Sequence, residues 1–243
     1  HVERTVEAKR EAARGIVDLR RGGSEIEKRT VDSTRGKFGE DGRHVGHRAM
    51  LALRPSPLSA DTAMSRGHCI LSHGFESGPD ATKVTALADV AQRLGWTHER
   101  PDYTDLDARH DISRVGDVPA RLQRLIQRAA EAAQHGPVVL AGSSLGAYIS
   151  AIASLHVPAR ALFLMVPPTT MGPMPALDAA KVPTTVIHAW HDELIPAGEV
   201  IAWAPARTAR LLLVDDGHRL NGHVETTARE FEALLEGLEA RNE

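Results

Sequence analysis

The segment VVLAGSSLGAYIS carries two adjacent serines between glycines, a setting in which serine can act as a nucleophile. Gly142, Ser144 and Gly146 match the spacing G-x-S-x-G, which is typical of a sharp turn from a buried strand into a helix. The nucleophile lies at the apex of that turn in a strained conformation, and small residues on both sides let strand and helix pass closely. A register on Ser143 would put Leu145 at the second small position, so the spacing favours Ser144.

An acid and a histidine follow two later apolar segments of the chain. Asp192 follows TTVIHAW, and His218 follows ARLLLVDDG. Because the carboxyl ends of parallel strands meet at one edge of a sheet, we expect both side chains on the same rim as the serine. A serine, an acid and a histidine are the components of a nucleophilic triad. In such a triad the imidazole takes the serine proton and the carboxylate fixes the imidazole tautomer.

Other histidines and acids lie close enough in sequence to compete for these roles. The competing bases are His73, His188, His191 and His223, and the competing acids are Glu193, Asp215 and Asp216. His188 is predicted within a strand, His223 at the start of a helix, and both aspartates at the end of the last strand. His218 and Asp192 are therefore favoured. The run HAWHD could suggest metal ligands, but strand alternation separates its side chains, so no metal site is predicted.

Six apolar segments predict the strands that position these residues. They are HCILSHG (68–74), THERPDY (97–103), PVVLAGS (137–143), RALFLMVP (160–167), TTVIHAW (184–190) and ARLLLVDD (209–216). Pro101 lacks a donor, so the second of these is expected near an edge. Helical periodicity is found over 82–96, 118–134, 145–156, 197–205 and 223–241. The alternation predicts an α/β fold: a doubly wound, mostly parallel six-stranded sheet with helices on both faces.

The composition predicts one folded domain after a polar segment. Residues 1–50 are rich in charged residues and glycine, and Phe38 is their only aromatic residue. Because such a segment buries too little apolar surface to offset its ordering entropy, we expect residues 1–66 to be a tail and linker. That tail would be disordered or foreign to the natural protein. Residues 67–243 are expected to form the domain.

The charge and hydropathy of the chain exclude several classes of partner. With 243 residues and a net charge of -3, the chain is not expected to bind nucleic acid. It has no apolar stretch of the ~18 residues needed to span a membrane. It also has no signal-peptide pattern, so a cytoplasmic location is expected. The single Cys69 excludes an internal disulfide, and no nucleotide fingerprint is found. The composition gives no oligomeric state.

On these motifs, the segment from about Gly67 to Arg241 resembles the α/β-hydrolases, and among them the small lidless bacterial serine esterases with an H-G-F loop. The resemblance implies Ser144 as nucleophile, His218 as general base and Asp192 as the acid that orients it. It implies an oxyanion hole formed by the backbone N–H groups of Phe75 and Leu145, with His73, Gly74, Gly142 and Gly146 as supporting residues. No cofactor is implied. Ala189 replaces the glycine usual in the family's H-G-x-x-D segment.

The connections between the strands suggest an open site. Only PPTTMGPMPALDAAK (167–181) stands where many α/β-hydrolases insert a helical cap, so we expect no lid. Met171, Met174 and Leu177 could line an acyl groove or pack beneath this loop. The loop 101–111 could shape the pocket or be solvated. Glu76 and Lys83 could form salt bridges or touch substrate.

The predicted function is cleavage of small-molecule or carrier-bound carboxylic esters or thioesters by a serine hydrolase. Two alternatives remain open from the sequence. One is cleavage of a peptide or amide bond on the same fold. The other is a non-catalytic protein that uses the fold to bind a partner.

Overall fold

The structure is a computed structural model, and it describes residues 65–109 and 115–240. Within these ranges six strands form one parallel sheet in the order β2-β1-β3-β4-β5-β6. The strands are β1 (His68–Ser72), β2 (Thr97–Glu99), β3 (Val138–Ser143), β4 (Ala159–Met165), β5 (Thr184–Ala189) and β6 (Arg210–Val214). The predicted fold class is confirmed. The prediction for residues 1–66 falls almost wholly outside the described residues.

Helices connect the strands, and five of the six described helices begin and end close to the predicted positions; the short helix at Thr104–Asp107 lies in the segment predicted as a loop. They are α1 (Thr82–Arg93), α2 (Thr104–Asp107), α3 (Val118–Ala132), α4 (Leu145–Ala153), α5 (Ala197–Trp203) and α6 (Val224–Glu239). Single 3₁₀ turns cover Ala204–Arg207 and Asn221–His223. At the start of α3 the Asp117 carboxylate accepts a hydrogen bond from the Ala120 N–H at 3.0 Å, which satisfies one of the helix's free donors. None of the helices in the described ranges is long and apolar enough to cross a membrane.

Both faces of the sheet are covered, because successive strand residues enter different apolar clusters. In β3, Val138 and Leu140 belong to the cluster beneath α3 and α4, whereas Val139 and Ala141 belong to the cluster beneath α1 and α6. Side chains alternate between faces along a strand, so a continuous apolar run is what burial on both faces requires.

The second strand and the last strand are shorter than predicted. THERPDY contributes only Thr97–Glu99, and this strand does pair at the edge of the sheet. Strand β6 ends at Val214, so the two aspartates after it do not finish the strand. The Asp216 carboxylate instead accepts hydrogen bonds from the N–H groups of Gly217 and Gly222, and so it closes the turn that follows.

No helix or strand interrupts residues 166–183, the connection between β4 and β5, and all of these residues are described. Leu177 is buried, and Met171 and Met174 are partly buried against the core cluster beneath α4. These three side chains therefore pack beneath the loop, which was the second of the two interpretations that the sequence allowed. The connection between β4 and β5 therefore contributes no helical cap to the carboxyl edge of the sheet.

Candidate active site

Ser144 occupies the turn between β3 and α4 in a conformation that side-chain-bearing residues rarely adopt. Its backbone has φ 53° and ψ −119°, and its N–H donates to the Met165 carbonyl at 2.9 Å. Such a conformation costs about 1–3 kcal/mol and persists only where the surroundings impose it. The turn presents Ser144 at the carboxyl edge of the sheet.

The two glycines of the motif are required by close contacts between backbones. A Cβ atom on Gly142 would lie 2.2 Å from the Gly146 carbonyl oxygen, and one on Gly146 would lie 2.1 Å from the Ser72 carbonyl oxygen. Strand β3, helix α4 and the end of β1 therefore meet at these two residues. The spacing that favours Ser144 over Ser143 follows from this crossing.

A chain of hydrogen bonds joins Ser144, His218 and Asp192. The Ser144 Oγ atom lies 2.9 Å from His218 Nε2, and His218 Nδ1 lies 2.9 Å from Asp192 Oδ2. The Asp192 side chain is fully buried and also accepts hydrogen bonds from the N–H groups of Leu194 and Ile195, at 2.9 and 2.8 Å. An ionised carboxylate accepts from Nδ1–H, so Nε2 is left as the acceptor that faces the serine hydroxyl.

The competing histidines and acids have other partners. His191 pairs with Asp215 at 3.0 Å, and His223 pairs with Asp216 at 3.1 Å. His188 lies behind Asp192, with its Nε2 atom 3.8 Å from Oδ2. Glu193 does contact His218, but its carboxylate accepts from the His218 backbone N–H at 3.0 Å and not from the ring.

His73 and His188 are buried imidazoles whose partners fix opposite neutral tautomers. In His73, Nε2 accepts from the Tyr103 N–H at 3.1 Å, so the ring proton is on Nδ1, which donates to the Gly74 carbonyl at 2.8 Å and also lies 3.2 Å from Arg121 Nη2. In His188, Nε2 donates to the Ile195 carbonyl at 3.0 Å, and buried Nδ1 has no hydrogen-bond partner within the described residues. Burial lowers the pKa of both rings, because a desolvated imidazolium is disfavoured.

We therefore expect His73 to remain neutral as the Nδ1–H tautomer and His188 as the Nε2–H tautomer at a pH near 6.5, where an ordinary imidazole is half protonated. Nitrogen-15 NMR spectra of histidine-labelled protein distinguish the tautomers. Because protonation favours the unfolded chain, these two groups contribute stability above about pH 6.5 that is lost as the pH falls toward their folded-state pKa values. Imidazolium signals from either ring at pH 6.5 would contradict the assignment.

The loop His73-Gly74-Phe75 follows β1 and lies against the serine turn. A Cβ atom on Gly74 would be 3.5 Å from the Ser144 Cβ atom and 3.3 Å from the Ser143 carbonyl oxygen. Leu145, the other residue with an implied oxyanion N–H, is the first residue of α4. The first N–H groups of a helix have no intrahelical acceptor.

A buried polar cluster beneath this loop was not predicted from the sequence. It consists of Tyr103, Asp107 and Arg121, and Arg121 is fully buried. Tyr103 and Asp107 belong to the loop 101–111 and are buried, whereas Asp102, Asp105 and Arg109 of the same loop are exposed. The interpretation of a solvated loop therefore holds for part of it, and none of its described residues lines the cleft. Residues 110 and 111 lie outside the described ranges. The sequence does contain one indication of this cluster. Arg121 lies at helical spacing between Val118 and Leu125, on the buried face of α3.

A cleft of about 530 Å³ opens beside Ser144 and His218. Phe75, Glu76 and Lys83 are also among its lining residues, so both charged residues flanking the loop face this space. The Lys83 ammonium donates to the Arg219 carbonyl at 2.5 Å, and burial lowers its pKa, with the positive charge of Arg219 acting in the same direction. No group of three or more His, Cys, Asp or Glu residues in the described ranges is arranged to hold a metal ion.

Solved structures of the same fold give the comparison. A protein assigned to the α/β-hydrolase superfamily, from Xanthomonas campestris pv. campestris, is 72% identical; the match covers 71% of this chain and 99% of that one, with a TM-score of 0.70. An α/β serine hydrolase without a lid, from Xanthomonas campestris, is 18% identical over 75% and 84% of the two chains, with a TM-score of 0.54. Est1E from Butyrivibrio proteoclasticus is 16% identical over 74% and 92%, with a TM-score of 0.60.

The last two likenesses concern the fold alone, whereas the first extends along almost the whole of a superfamily member. Searches against protein-family models and against curated proteins found no match. The 72% identity to the first of the two Xanthomonas proteins and the six-stranded parallel sheet lead to the same assignment. The chain belongs to the α/β-hydrolase superfamily.

Proposed function

We propose that this protein is a serine hydrolase that cleaves carboxylic esters or thioesters through an acyl-enzyme on Ser144. The observation that carries the proposal is the hydrogen-bond chain from Ser144 Oγ through His218 to Asp192, with separations of 2.9 Å at both steps. A hydroxyl is a weak nucleophile until a base takes its proton, and an imidazole held by a buried carboxylate is suited to that task near neutral pH.

In the first half-reaction the Ser144 oxygen attacks the carbonyl carbon while its proton passes to His218 Nε2. The carbonyl π electrons move to oxygen and give a tetrahedral oxyanion. When the carbonyl re-forms, the bond to the leaving oxygen or sulfur breaks, and His218 returns the proton to that atom. In the second half-reaction water repeats the attack with His218 as base, and the acid product leaves Ser144 free.

The oxyanion would be held by the backbone N–H groups of Phe75 and Leu145. Two observations support this proposal: the H-G-F loop lies against Ser144, and Leu145 begins α4 directly after the nucleophile. Donors that point at the developing charge avoid reorganisation during the reaction, and each is worth about 3 kcal/mol in comparable sites.

The cleft limits the substrate class only broadly. Within residues 65–109 and 115–240 no helical cap covers the edge of the sheet where the cleft lies, and Leu194 on its rim is 69% exposed. An open site of this kind suits a small acyl ester, or an acyl chain displayed on a larger carrier. The residues that line the cleft include both apolar and charged side chains.

The test uses the wild-type protein with a fluorophosphonate probe and a matched pair of chromogenic substrates. We expect the probe to add to Ser144, identified by the mass of the labelled peptide, and p-nitrophenyl butyrate to be hydrolysed. Cleavage of the corresponding p-nitroanilide at a comparable rate would favour the amidase alternative. Absence of labelling and of turnover in folded protein would favour a non-catalytic, partner-binding protein.

A further inference from the structure

Arg121 on α3 binds both the H-G-F loop and the Asp107 carboxylate beside it. Its Nη1 atom donates to the His73 carbonyl at 3.2 Å, and its Nη2 atom donates to the Gly74 carbonyl at 3.2 Å. Nη2 also donates to Asp107 Oδ2 at 2.8 Å, and Nε lies 2.7 Å from Asp107 Oδ1. One buried guanidinium therefore binds two consecutive carbonyls of the loop and the carboxylate beside it.

The Gly74 carbonyl is held on its inner side by three donors. Besides Arg121, His73 Nδ1 donates to it at 2.8 Å and Ser77 Oγ donates at 3.1 Å. This carbonyl shares a peptide group with the Phe75 N–H, and no peptide bond in the described residues is cis. In a planar trans peptide the C=O and the N–H point in opposite directions. Drawing the Gly74 oxygen toward Arg121 therefore directs the Phe75 N–H away from Arg121, and Phe75 itself is among the residues that line the cleft.

The peptide group on the other side of Phe75 is fixed as well. The Glu76 N–H donates to Asp107 Oδ2 at 3.3 Å, and Glu76 has φ 54°, a left-handed conformation that is uncommon for this residue type. Asp107 is in turn held by Arg121. The ion pair thus restrains the backbone both before and after Phe75.

The surroundings of Arg121 keep the guanidinium in one place. The Tyr103 ring stacks on it, with 4.6 Å from the guanidinium carbon to the ring centroid, and the Tyr103 hydroxyl lies 3.2 Å from Ser72 Oγ. The Arg121 side chain is fully buried, and that of Asp107 is 8% exposed. A planar fork with several fixed donors suits this arrangement better than the single ammonium of lysine.

We infer that Arg121, paired with Asp107, is a positioning residue that orients the Phe75 N–H toward the oxyanion formed on the substrate. The inference rests on the proposed function. Arg121 does not touch substrate itself, and it acts by fixing the Gly74–Phe75 peptide. Arg121 is therefore expected to stabilise the transition state without strengthening the binding of the ground-state ester.

The experiment compares Arg121→Met with Arg124→Met, a matched change three residues, or about one turn, further along the same helix. Arg124 is on the surface, where it pairs with Asp105 at 2.7 Å. For p-nitrophenyl butyrate we expect Arg121→Met to lower kcat per active site by about 10- to 100-fold and to leave KM within about two-fold. The loss is smaller than the ~10²- to 10³-fold typical of deleting an oxyanion donor, since the N–H is misdirected and not removed. Arg124→Met should remain within about two-fold of wild type in both constants.

A second readout separates positioning from stability. A trifluoromethyl ketone adds to a serine nucleophile and places an oxyanion in the hole, so its inhibition constant should rise by the same factor as kcat/KM falls. Active sites are counted by fluorophosphonate titration. A purely structural role would lower the melting temperature or the fraction of active sites, and leave kcat per titrated site and ketone affinity unchanged.

Arg121→Met leaves the Asp107 carboxylate buried without its cation and can fail to fold for that reason. The double variant Arg121→Met/Asp107→Asn removes both charges and keeps an acceptor for the Glu76 N–H, and it should show the same loss in kcat. Arg121→Lys keeps the charge and should recover part of it. Wild-type kcat and ketone affinity in either folded Met variant would overturn the inference. Lack of ester turnover by the wild-type protein would instead overturn the proposed function.

Discussion

Replacing Ser144 with alanine is expected to lower kcat for p-nitrophenyl butyrate by ~10⁴-fold or more, because the acyl-enzyme can no longer form. Removal of the nucleophile from a triad enzyme leaves only the activity supplied by binding and the oxyanion hole. Alanine keeps the strained backbone at φ 53°, so the melting temperature should remain close to that of wild type. The measurement is steady-state turnover together with thermal unfolding, and fluorophosphonate labelling should be lost in parallel.

The neighbouring serine provides the matched control. Ser143 is the last residue of β3 and is buried, and it differs from Ser144 by a single position in the chain. Ser143→Ala should retain labelling on Ser144 and measurable ester turnover. Wild-type turnover by Ser144→Ala, or loss of labelling only in Ser143→Ala, would contradict the assignment of the nucleophile.

The residues of this site differ in how far the sequence could predict them. Ser144, Asp192 and His218 each follow a continuous apolar strand, and parallel strands end at a common edge, so their proximity follows from topology. The structure brings these three side chains within hydrogen-bonding distance. The spacing predicts the strained turn and the close passage of β3 and α4, but it does not show that the end of β1 also meets this turn, at the Ser72 carbonyl oxygen. The glycines are needed because the backbones of β1, β3 and α4 cross there.

The cluster beneath the H-G-F loop could not be assembled from sequence. Arg121 reaches the His73 carbonyl across 48 residues of chain, and neither local propensity nor periodicity encodes such a contact. The loop containing Tyr103 and Asp107 looks like an ordinary polar connection, yet the short helix α2 turns both side chains inward. What the sequence does show is an arginine on the apolar face of α3. Because a charge on a buried face requires a partner, this arginine indicates a buried polar contact.

His188 illustrates the same limit. It was expected in a strand, and it does lie in β5. The sequence gives no reason to place its ring 3.8 Å from the carboxylate that holds His218, or to predict that it binds the Ile195 carbonyl. Those contacts depend on the turn at residues 190–195, in which the N–H groups of Leu194 and Ile195 donate to the Asp192 carboxylate.

Asp192→Asn is expected to lower kcat by ~10⁴-fold near neutral pH while changing KM little. An amide can donate to His218 Nδ1, which would then carry no proton, so the proton would move to Nε2 and the ring could not accept from Ser144. The asparagine Oδ1 atom can still accept from the N–H groups of Leu194 and Ile195, so the turn should persist.

The matched control for this change is Asp215→Asn. Asp215 is close to His218 in sequence, but its side chain is 88% exposed and pairs with His191, so turnover should remain within about two-fold. Glu193 is the acid that could replace Asp192, because it already contacts the His218 backbone. Substantial turnover by Asp192→Asn that disappears in Asp192→Asn/Glu193→Gln would transfer the orienting role to Glu193. Wild-type turnover by both variants would show that His218 needs neither carboxylate, and the mechanism proposed for this hydrolase would then be wrong.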